Sequence, residues 1–258
     1  MVLPRGYLSN SQLNCYLECP LKYCLIYIEN RVIPINDYLF LGSVYHSAAE
    51  YYFNERIKGH WPDQDICRDF LLSTFERQMQ EEQVIWTRPV DKVRAAGLAF
   101  IGAFVETIGE KCRPMLVEKE LQTVIPGSDV QFKGIIDLVE EDFSLVDLKT
   151  SNRKWNGTSG YRARQMFFYK FLFEQSFCSS VSGLRFEVLS AATPPGTVLH
   201  QRIPVEASKD DVQASLELAL KVASDISAGL FPAREACNLR YCEFRAECRK
   251  KQDTSYYC

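Results

Sequence analysis

The chain has 258 residues, of which 47% are hydrophobic and 24% are charged, and its formal net charge is −3. These values are typical of a globular protein with one large domain, and they exclude a polycation that binds nucleic acid through its overall charge. No apolar run is long enough to cross a bilayer, and the N-terminus lacks the apolar core of a signal peptide. We therefore predict a cytoplasmic protein without a membrane partner.

The predicted elements alternate between helices and strands. Cap-forming residues begin a helix near Ser11 that Pro20 must break, and a second helix is capped near Ser43. Residues from about 60 to 112 have helical periodicity without a strand pattern, which predicts a helical insertion. The pattern then predicts strands at 115–124, 130–139 and 145–150, a helix at 161–177, strands at 184–191 and 197–205, and a helix at 207–228. This order predicts a single α/β domain over residues 1–258, with a central mixed β-sheet flanked by helices.

The segment from Gly134 to Lys149 reads as a β-hairpin that carries charge on apolar strands. Side chains alternate along a strand, so Asp147 and Lys149 project from one face, and Asp137 can lie beside them on the neighbouring strand. Two carboxylates and an ammonium are costly to half-bury without a partner, and a divalent cation with a phosphate ligand is such a partner. The alternative, a surface hairpin with an Asp–Lys ion pair, is equally compatible with this segment alone.

A basic stretch follows the hairpin and contains Arg153, Lys154, Trp155, Arg162 and Arg164. No acidic residue occurs from Leu148 until Glu174. Cations interleaved with aromatic rings are typical of a surface that follows a phosphate backbone, and the position beside the hairpin favours this interpretation over an ordinary solvated loop.

Two further positions are candidate site residues on helices. Gln165 and Tyr169 are four residues apart and share one helix face, although such a pair is more often a core tyrosine beside an exposed glutamine. His46 lies among apolar neighbours, where a lone histidine is more often a core residue than a ligand. If a histidine of this chain binds metal, His46 is the best candidate.

Four motifs follow one another in order: Gly-x-x-x-His at 42–46, Gly-Ile-Ile-Asp at 134–137, Asp-x-Lys at 147–149 and Gln-x-x-x-Tyr at 165–169. Together with the opening Leu-Ser-Asn-Ser-Gln-Leu-Asn-Cys-Tyr-Leu-Glu-Cys-Pro at 8–20, this order resembles the RecB-like branch of the PD-(D/E)XK nuclease superfamily, and its layout is similar to that of small single-domain exonucleases of the CRISPR-associated and AddB-like kind. The resemblance covers residues 9–248. It implies a restriction-endonuclease-like core.

The resemblance also implies a role for each matched residue. His46, Asp137 and Asp147 would bind Mg²⁺ or Mn²⁺ together with the backbone carbonyl of Leu148, while Lys149 would orient or help deprotonate the attacking water, or stabilise the transition state. Gln165 and Tyr169 would support the site and contact the strand. Relatives carry a glutamate on the preceding strand, and the sequence does not distinguish Glu118 from Glu120 for this position.

Ten cysteines are many for a protein of a reducing compartment, where clustered cysteines indicate metal or iron–sulfur ligation before disulfides. The resemblance implies a [4Fe–4S] cluster that joins the two ends of the chain. Its ligands would be Cys19, Cys237, Cys242 and Cys248. Four residues separate Cys237 from Cys242, whereas relatives have two, so a longer loop, or Cys15 or Cys24 as a substitute, stays open. Zinc and unligated thiols are the alternatives.

These observations predict a metal-dependent exonuclease that hydrolyses phosphodiester bonds of single-stranded DNA or flap ends, with DNA and other DNA-processing proteins as its partners. Two alternatives remain: a nucleic-acid-binding or adaptor module that has lost the chemistry, and a structure-specific endonuclease.

Overall fold

The structure is a computed structural model that describes residues 3–157, 160–192, 194, 196–234, 242–245 and 248. Its elements are, in chain order, β1 (Leu8–Ser9), α1 (Asn10–Glu18), α2 (Pro20–Tyr23), β2 (Ile35–Asn36), α3 (Asp37–Ile57), α4 (Gln64–Glu81), β3 (Val84–Ile85), α5 (Val90–Phe104), β4 (Pro114–Val124), β5 (Gln131–Glu140), β6 (Ser144–Ser151), α6 (Gly160–Phe177), β7 (Gly183–Ala192), β8 (Thr197–Pro204) and α7 (Lys209–Ser227). Short π-helical turns follow α2 and α5, at Cys24–Ile28 and Val105–Gly109. In these described ranges, none of the helices combines the length and the apolar character needed to cross a membrane.

The central sheet is mixed. β5 pairs with three strands. β4 lies antiparallel along one edge of β5. Along the other edge, the start of β5 pairs in parallel with the two-residue β1, and its end pairs antiparallel with β6. β6 and β7 are parallel, and β7 and β8 are antiparallel. Parallel neighbours need a crossover connection, and α6 provides it between β6 and β7. The predicted α/β fold, a mixed sheet flanked by helices, is confirmed.

Helices cover both faces of the sheet, and each face has its own core. α1, α6 and α7 pack on one face around residues such as Phe132, Phe168 and Phe186, whereas α3, α4 and α5 pack on the other around Phe40 and Phe104. The central strand β6 is therefore buried on both sides, which explains its almost continuous apolar sequence. Charged side chains on such a strand require a specific partner.

The N-terminal half differs from the sequence prediction in two places. The predicted cap near Ser43 is wrong, because α3 already begins at Asp37, where the Asn36 side chain accepts hydrogen bonds from the backbone N–H groups of Tyr38 and Leu39 at 3.1 and 2.9 Å. The stretch predicted as purely helical contains the strand β3, which pairs in parallel with β2. Two residues are too few to show an alternating pattern, so periodicity could not reveal β3. The predicted division into a nuclease core, a helical insertion at about 60–112 and a cysteine-rich cluster region at 1–30 plus 230–250 stays a prediction.

Candidate active site where two strands part

The candidate site lies where β5 and β6 separate. Their register pairs are Val139 with Leu145 and Leu138 with Val146, and Asp137 and Asp147 come one residue beyond the last pair. The backbone N–H of Leu148 donates to Oδ2 of Asp137 at 2.7 Å. Because the two strands separate here, the Leu148 N–H has no backbone partner on β5, and the Asp137 carboxylate accepts its hydrogen bond instead. This bond holds the Asp137 side chain between the two strands.

Helix α3 and strand β4 add two more groups to this point. Nδ1 of His46 lies 3.6 Å from Oδ2 of Asp137 and 3.7 Å from Oε1 of Glu118. One donor atom from each of these three residues lies within 4.8 Å of the other two. One imidazole nitrogen and two carboxylate oxygens form a donor set that suits a divalent cation such as Mg²⁺ or Mn²⁺.

The structure distinguishes the two glutamates that the sequence left open. Glu118 faces the site from a position between the register pairs Val117–Leu138 and Lys119–Ile136, and its backbone φ is +44°, in the left-handed region that glycine favours. Glu120 is mostly exposed, and its carboxylate lies 2.7 Å from Nζ of Lys133. A non-glycine residue in this conformation is strained, and such strain is typical of functional sites.

Asp147 and Lys149 form a second, adjoining pair. Asp147 is fully buried, and Nζ of Lys149 lies 2.6 Å from its Oδ2. That contact has the distance but not the alignment of a hydrogen bond, and within the described residues neither carboxylate oxygen of Asp147 accepts a hydrogen bond. We regard it as a contact between opposite charges. Buried carboxylate oxygens without donors fit a cation, so this observation is compatible with metal binding.

Burial and mutual charge shift the pKa values of the site. Burial raises the pKa of Asp137, and it raises the pKa of Asp147 to about 6 although Lys149 opposes the shift. Burial lowers the pKa of Lys149, but Asp147 and Asp137 outweigh it and the net shift is upward. The pKa of His46 is likewise lowered by burial and raised overall by Asp137 and Glu118. Without a cation the site therefore holds protons more readily than isolated side chains do.

The family model of the PD-(D/E)XK nuclease superfamily matches residues 7–249. The chain belongs to this superfamily. A nuclease acts on nucleic acid, so the class of substrate follows from the family, whereas the type of strand and the mode of cleavage do not.

A solved structure shares the fold of this nuclease. A provisionally named exonuclease from Eubacterium rectale, solved at 2.19 Å, is 13% identical, with a TM-score of 0.60 over 95% of this chain and 88% of that one. The protein SSO0001 is 14% identical, with a TM-score of 0.37 over 90% of this chain and 95% of that one. At these identities the first likeness shows the fold alone. The sequence matches none of the curated proteins with which it was compared.

The predicted pair on α6 is joined by a hydrogen bond. Nε2 of Gln165 donates to the hydroxyl of Tyr169 at 2.7 Å, and burial, with Asp147 and Asp137 nearby, raises the pKa of that hydroxyl well above its usual value. Tyr169 thus remains neutral and polar beside the two carboxylates. Their catalytic roles stay predictions.

Gly134 allows α6 to approach the sheet at this point. A Cβ atom at residue 134 would lie 2.7 Å from Cδ1 of Leu172 and 3.6 Å from the ring of Tyr169. The glycine of the Gly-Ile-Ile-Asp motif therefore has a packing role: it lets the helix that carries Gln165 and Tyr169 lie close to β5.

In the basic stretch of the nuclease, some side chains are exposed to solvent and others contact the rest of the protein. Arg153 and Lys154 are exposed, whereas Trp155 is only 9% exposed and its ring packs against Phe186. The guanidinium of Arg162 lies over the Trp155 ring, 3.9 Å from its centroid. Contact of nucleic acid with these residues stays a prediction.

Arg164 contacts helix α1 rather than the Trp155 ring. Its Nη1 donates to Oδ1 of Asn14 on α1 at 3.3 Å, and burial lowers its pKa. The predicted role of Arg164 in binding nucleic acid is likewise untested.

Three of the four predicted cluster cysteines share one small apolar cluster, which we call the cysteine cluster. Cys19, Cys242 and Cys248 pack there with Leu21, Leu25 and Phe244. Nζ of Lys22 lies 3.5 Å from Oε2 of Glu243, which also joins the two ends of the chain. The fourth predicted ligand, Cys237, lies outside the described residues. The proposed substitutes Cys15 and Cys24 pack with the larger core that contains Phe132 instead.

Proposed function

We propose that this nuclease is a Mg²⁺- or Mn²⁺-dependent DNA exonuclease that hydrolyses phosphodiester bonds at single-stranded or flap ends. The observation that carries the proposal is the juxtaposition of a three-residue donor set, His46, Glu118 and Asp137, with the buried Asp147 and the half-buried Lys149. A phosphodiester that approaches this point would meet hard metal ligands on one side and an ammonium on the other, which is the arrangement that phosphoryl-transfer chemistry requires.

The bound cation would be held by His46, Glu118 and Asp137, with Asp147 and the backbone carbonyl of Leu148 as further proposed ligands. When bound, it supplies a water of lowered pKa and neutralises charge that builds on the phosphate. All the side-chain donors except the imidazole are carboxylate oxygens, and Oδ1 of the buried Asp147 has no hydrogen-bond partner among the described residues, whereas Oδ2 contacts the Lys149 ammonium. Both features support a resident cation.

Lys149 is better suited to stabilise charge than to accept a proton. The two buried carboxylates raise its pKa, so Lys149 is an ammonium at neutral pH in the metal-free protein. A buried ammonium donates to a phosphate oxygen and becomes more strongly bound as negative charge develops there. Of the roles that the sequence leaves open for Lys149, stabilising the transition state or orienting the water agrees best with this charge.

Gln165 and Tyr169 would hold the strand beside the cation. The Gln165 amide already donates to the Tyr169 hydroxyl, so the hydroxyl can turn its own hydrogen toward a phosphate or sugar oxygen. The exposed Arg153 and Lys154 would contact the backbone outside the site.

A labelled DNA strand tests the proposal. Purified protein with Mn²⁺ should degrade linear single-stranded DNA from an end, leave a circular single strand intact, and lose this activity in Asp147→Ala. Cleavage of the circle would instead identify a structure-specific endonuclease. No degradation of either substrate, with retained DNA binding, would identify a binding or adaptor module.

We also propose the finer assignment to the RecB-like, CRISPR-associated type of this superfamily, with a [4Fe–4S] cluster bound by Cys19, Cys237, Cys242 and Cys248. The shared packing of Cys19, Cys242 and Cys248 supports it. In anaerobically prepared protein, a brown colour that disappears in Cys242→Ser is the expected result, and colourless protein would contradict the cluster. A cytoplasmic location and work alongside other DNA-processing proteins belong to the same proposal.

A further inference from the structure

Two cavities flank the candidate site. One has a volume of about 290 Å³ and contains Lys149 in its wall, and the other has a volume of about 320 Å³ and contains Asp137. Asn10 and Gln165 line both. A strand that passes the site would therefore fill one cavity on each side of the reacting phosphate. Each volume is at the lower end of the range for small-ligand sites, about 300–1,000 Å³, which suits one nucleotide at a time.

The wall of the cavity beside Lys149 carries a fixed positive charge. The Arg162 guanidinium lies over the Trp155 ring, and its Nε donates to the Tyr161 hydroxyl at 3.1 Å. Among the described residues no carboxylate lies within ion-pair distance of Arg162. A half-buried guanidinium that is oriented by two aromatic side chains but not neutralised is suited to bind an anion such as a phosphate.

The support behind Arg162 is rigid. The Trp155 backbone N–H donates to Oε1 of Gln201 at 2.9 Å, and Nε2 of Gln201 donates back to the Trp155 carbonyl at 3.0 Å. The ring of Trp155 packs against Phe186 on β7, with 5.5 Å between centroids. Trp155 is thus held on the edge of the sheet, and Arg162 loses little freedom when it binds a ligand.

The lining of the same cavity also contains a polar group without a partner. Oδ1 of Asn10, on the first turn of α1, is buried and accepts no hydrogen bond within the described residues. Its neighbour Asn14 differs, because its Oδ1 accepts from Arg164. A buried acceptor without a donor is destabilising, and because Asn10 lines the cavity, a rotation of its amide would offer this oxygen to an N–H or O–H group of a ligand.

We propose that the cavity between Asn10 and Arg162 is a subsite for one unpaired nucleotide of a DNA strand. Arg162 binds the phosphate of this nucleotide, the exposed ring of Tyr161 stacks on its base, and Asn10 bonds to the pairing edge of the base. Asn10 and Arg162 then determine the preference for single strands, because a base pair occupies the edge that Asn10 would contact. This inference rests on the proposed function, since it takes DNA as the substrate, but binding in the subsite does not require cleavage.

A binding measurement without metal tests the subsite. A short oligothymidine with a fluorescent label is titrated with protein in EDTA, and its anisotropy gives the Kd. Arg162→Ala and Asn10→Ala should each raise the Kd about tenfold, the equivalent of one lost contact. Arg162→Lys, which keeps the charge but not the planar stack, should give an intermediate value. Lys221→Ala, on the exposed face of α7, removes the same charge far from the cavity and should bind as the wild type does.

Two results would overturn the subsite. The first is wild-type binding by both Arg162→Ala and Asn10→Ala, with their folding checked by circular dichroism. The second is an equal loss in Lys221→Ala, a cation outside this cavity wall, which would show that diffuse charge rather than the cavity binds the strand. Failure of the proposed exonuclease is separable: if the wild type does not cleave DNA but Arg162→Ala still weakens binding, the subsite holds. If the wild type cleaves DNA and Arg162→Ala binds normally, only the subsite fails.

Discussion

The candidate active site and the cysteine cluster both join distant parts of the chain, but they are held in different ways. The active-site residues lie on α3 and on three strands of the sheet, between two cores that cover both faces of β6. The cysteine cluster lies where α1 and α2 meet a C-terminal segment, and among the described residues its apolar core has four buried members. In the candidate site, strand register together with the packing of α3 fixes the positions of the side chains, whereas the small peripheral cluster has little apolar packing of its own among the described residues.

The largest effect is expected from Glu118→Gln, which replaces one carboxylate oxygen of Glu118 with an amide nitrogen. Glu118→Gln should weaken Mn²⁺ binding and reduce nuclease activity by about 10³-fold, because a neutral amide is a poor ligand at a site of hard anionic donors. Calorimetry with Mn²⁺ and the strand-degradation assay measure the two effects. Glu120→Gln is the matched control two residues away, and an equal loss there would contradict the assignment of Glu118.

Lys149→Ala should have the next largest effect. Removal of the ammonium should lower kcat by about 10²-fold, because one preorganised charge is lost from the transition state. Mn²⁺ should still bind, since Lys149 is not a ligand. Lys119→Ala removes an exposed lysine from β4 and is the control. A Lys149→Ala variant with normal kcat would rule out a part for this ammonium in the reaction.

The pH dependence of metal binding should report the buried carboxylates. The pKa of Asp147 is raised to about 6, so Asp147 takes up a proton as the pH falls through that value, and a protonated carboxyl is not a ligand. If Asp147 is a ligand, Mn²⁺ affinity should therefore be nearly constant above about pH 7 and fall up to tenfold for each unit below about pH 6. Calorimetry over this range checks the slope. A flat profile would mean that Asp147 does not titrate with the metal.

The smallest effect on the active site should come from the cysteine cluster. If an iron–sulfur cluster links the chain ends, Cys242→Ser should lower the unfolding free energy by about 2–4 kcal/mol, as the loss of a covalent cross-link does, and should leave Mn²⁺ affinity unchanged. Thermal unfolding and calorimetry measure the two quantities. The exposed Cys178 provides the control, Cys178→Ser. Weaker Mn²⁺ binding in Cys242→Ser would show that the two regions are coupled and break the comparison.

Sequence patterns predicted much of the sheet-borne site for a physical reason. Alternation along β6 places Asp147 and Lys149 on one side, and the contact between their charges agrees with this. Helical spacing likewise predicts that Gln165 and Tyr169 can meet, and they share a hydrogen bond. Both are local rules, in which neighbours in sequence determine neighbours in space.

Contacts between distant residues could not be predicted in this way. Alternation puts Glu118 and Glu120 on one face, and only the left-handed backbone at residue 118 and the Lys133 contact of Glu120 distinguish them. Trp155 looks like an exposed stacking residue in a basic loop, but Gln201, 46 residues away, holds it against the sheet. Asn10 lies within the opening run at 8–20, but the sequence did not single it out, because its place beside a cavity depends on how α1 and α6 come together.

The left-handed backbone of Glu118 affects the thermal stability of the folded chain. A left-handed residue costs about 1–2 kcal/mol, and this cost is present whether or not a cation is bound. Replacement by glycine would relieve the strain and remove the ligand together, so Glu118→Gly should unfold at a higher temperature than the metal-free wild type while losing its Mn²⁺ response. Random substitutions selected only for heat resistance would therefore favour loss of this side chain, and retention of a glutamate here would mark selection for activity over durability.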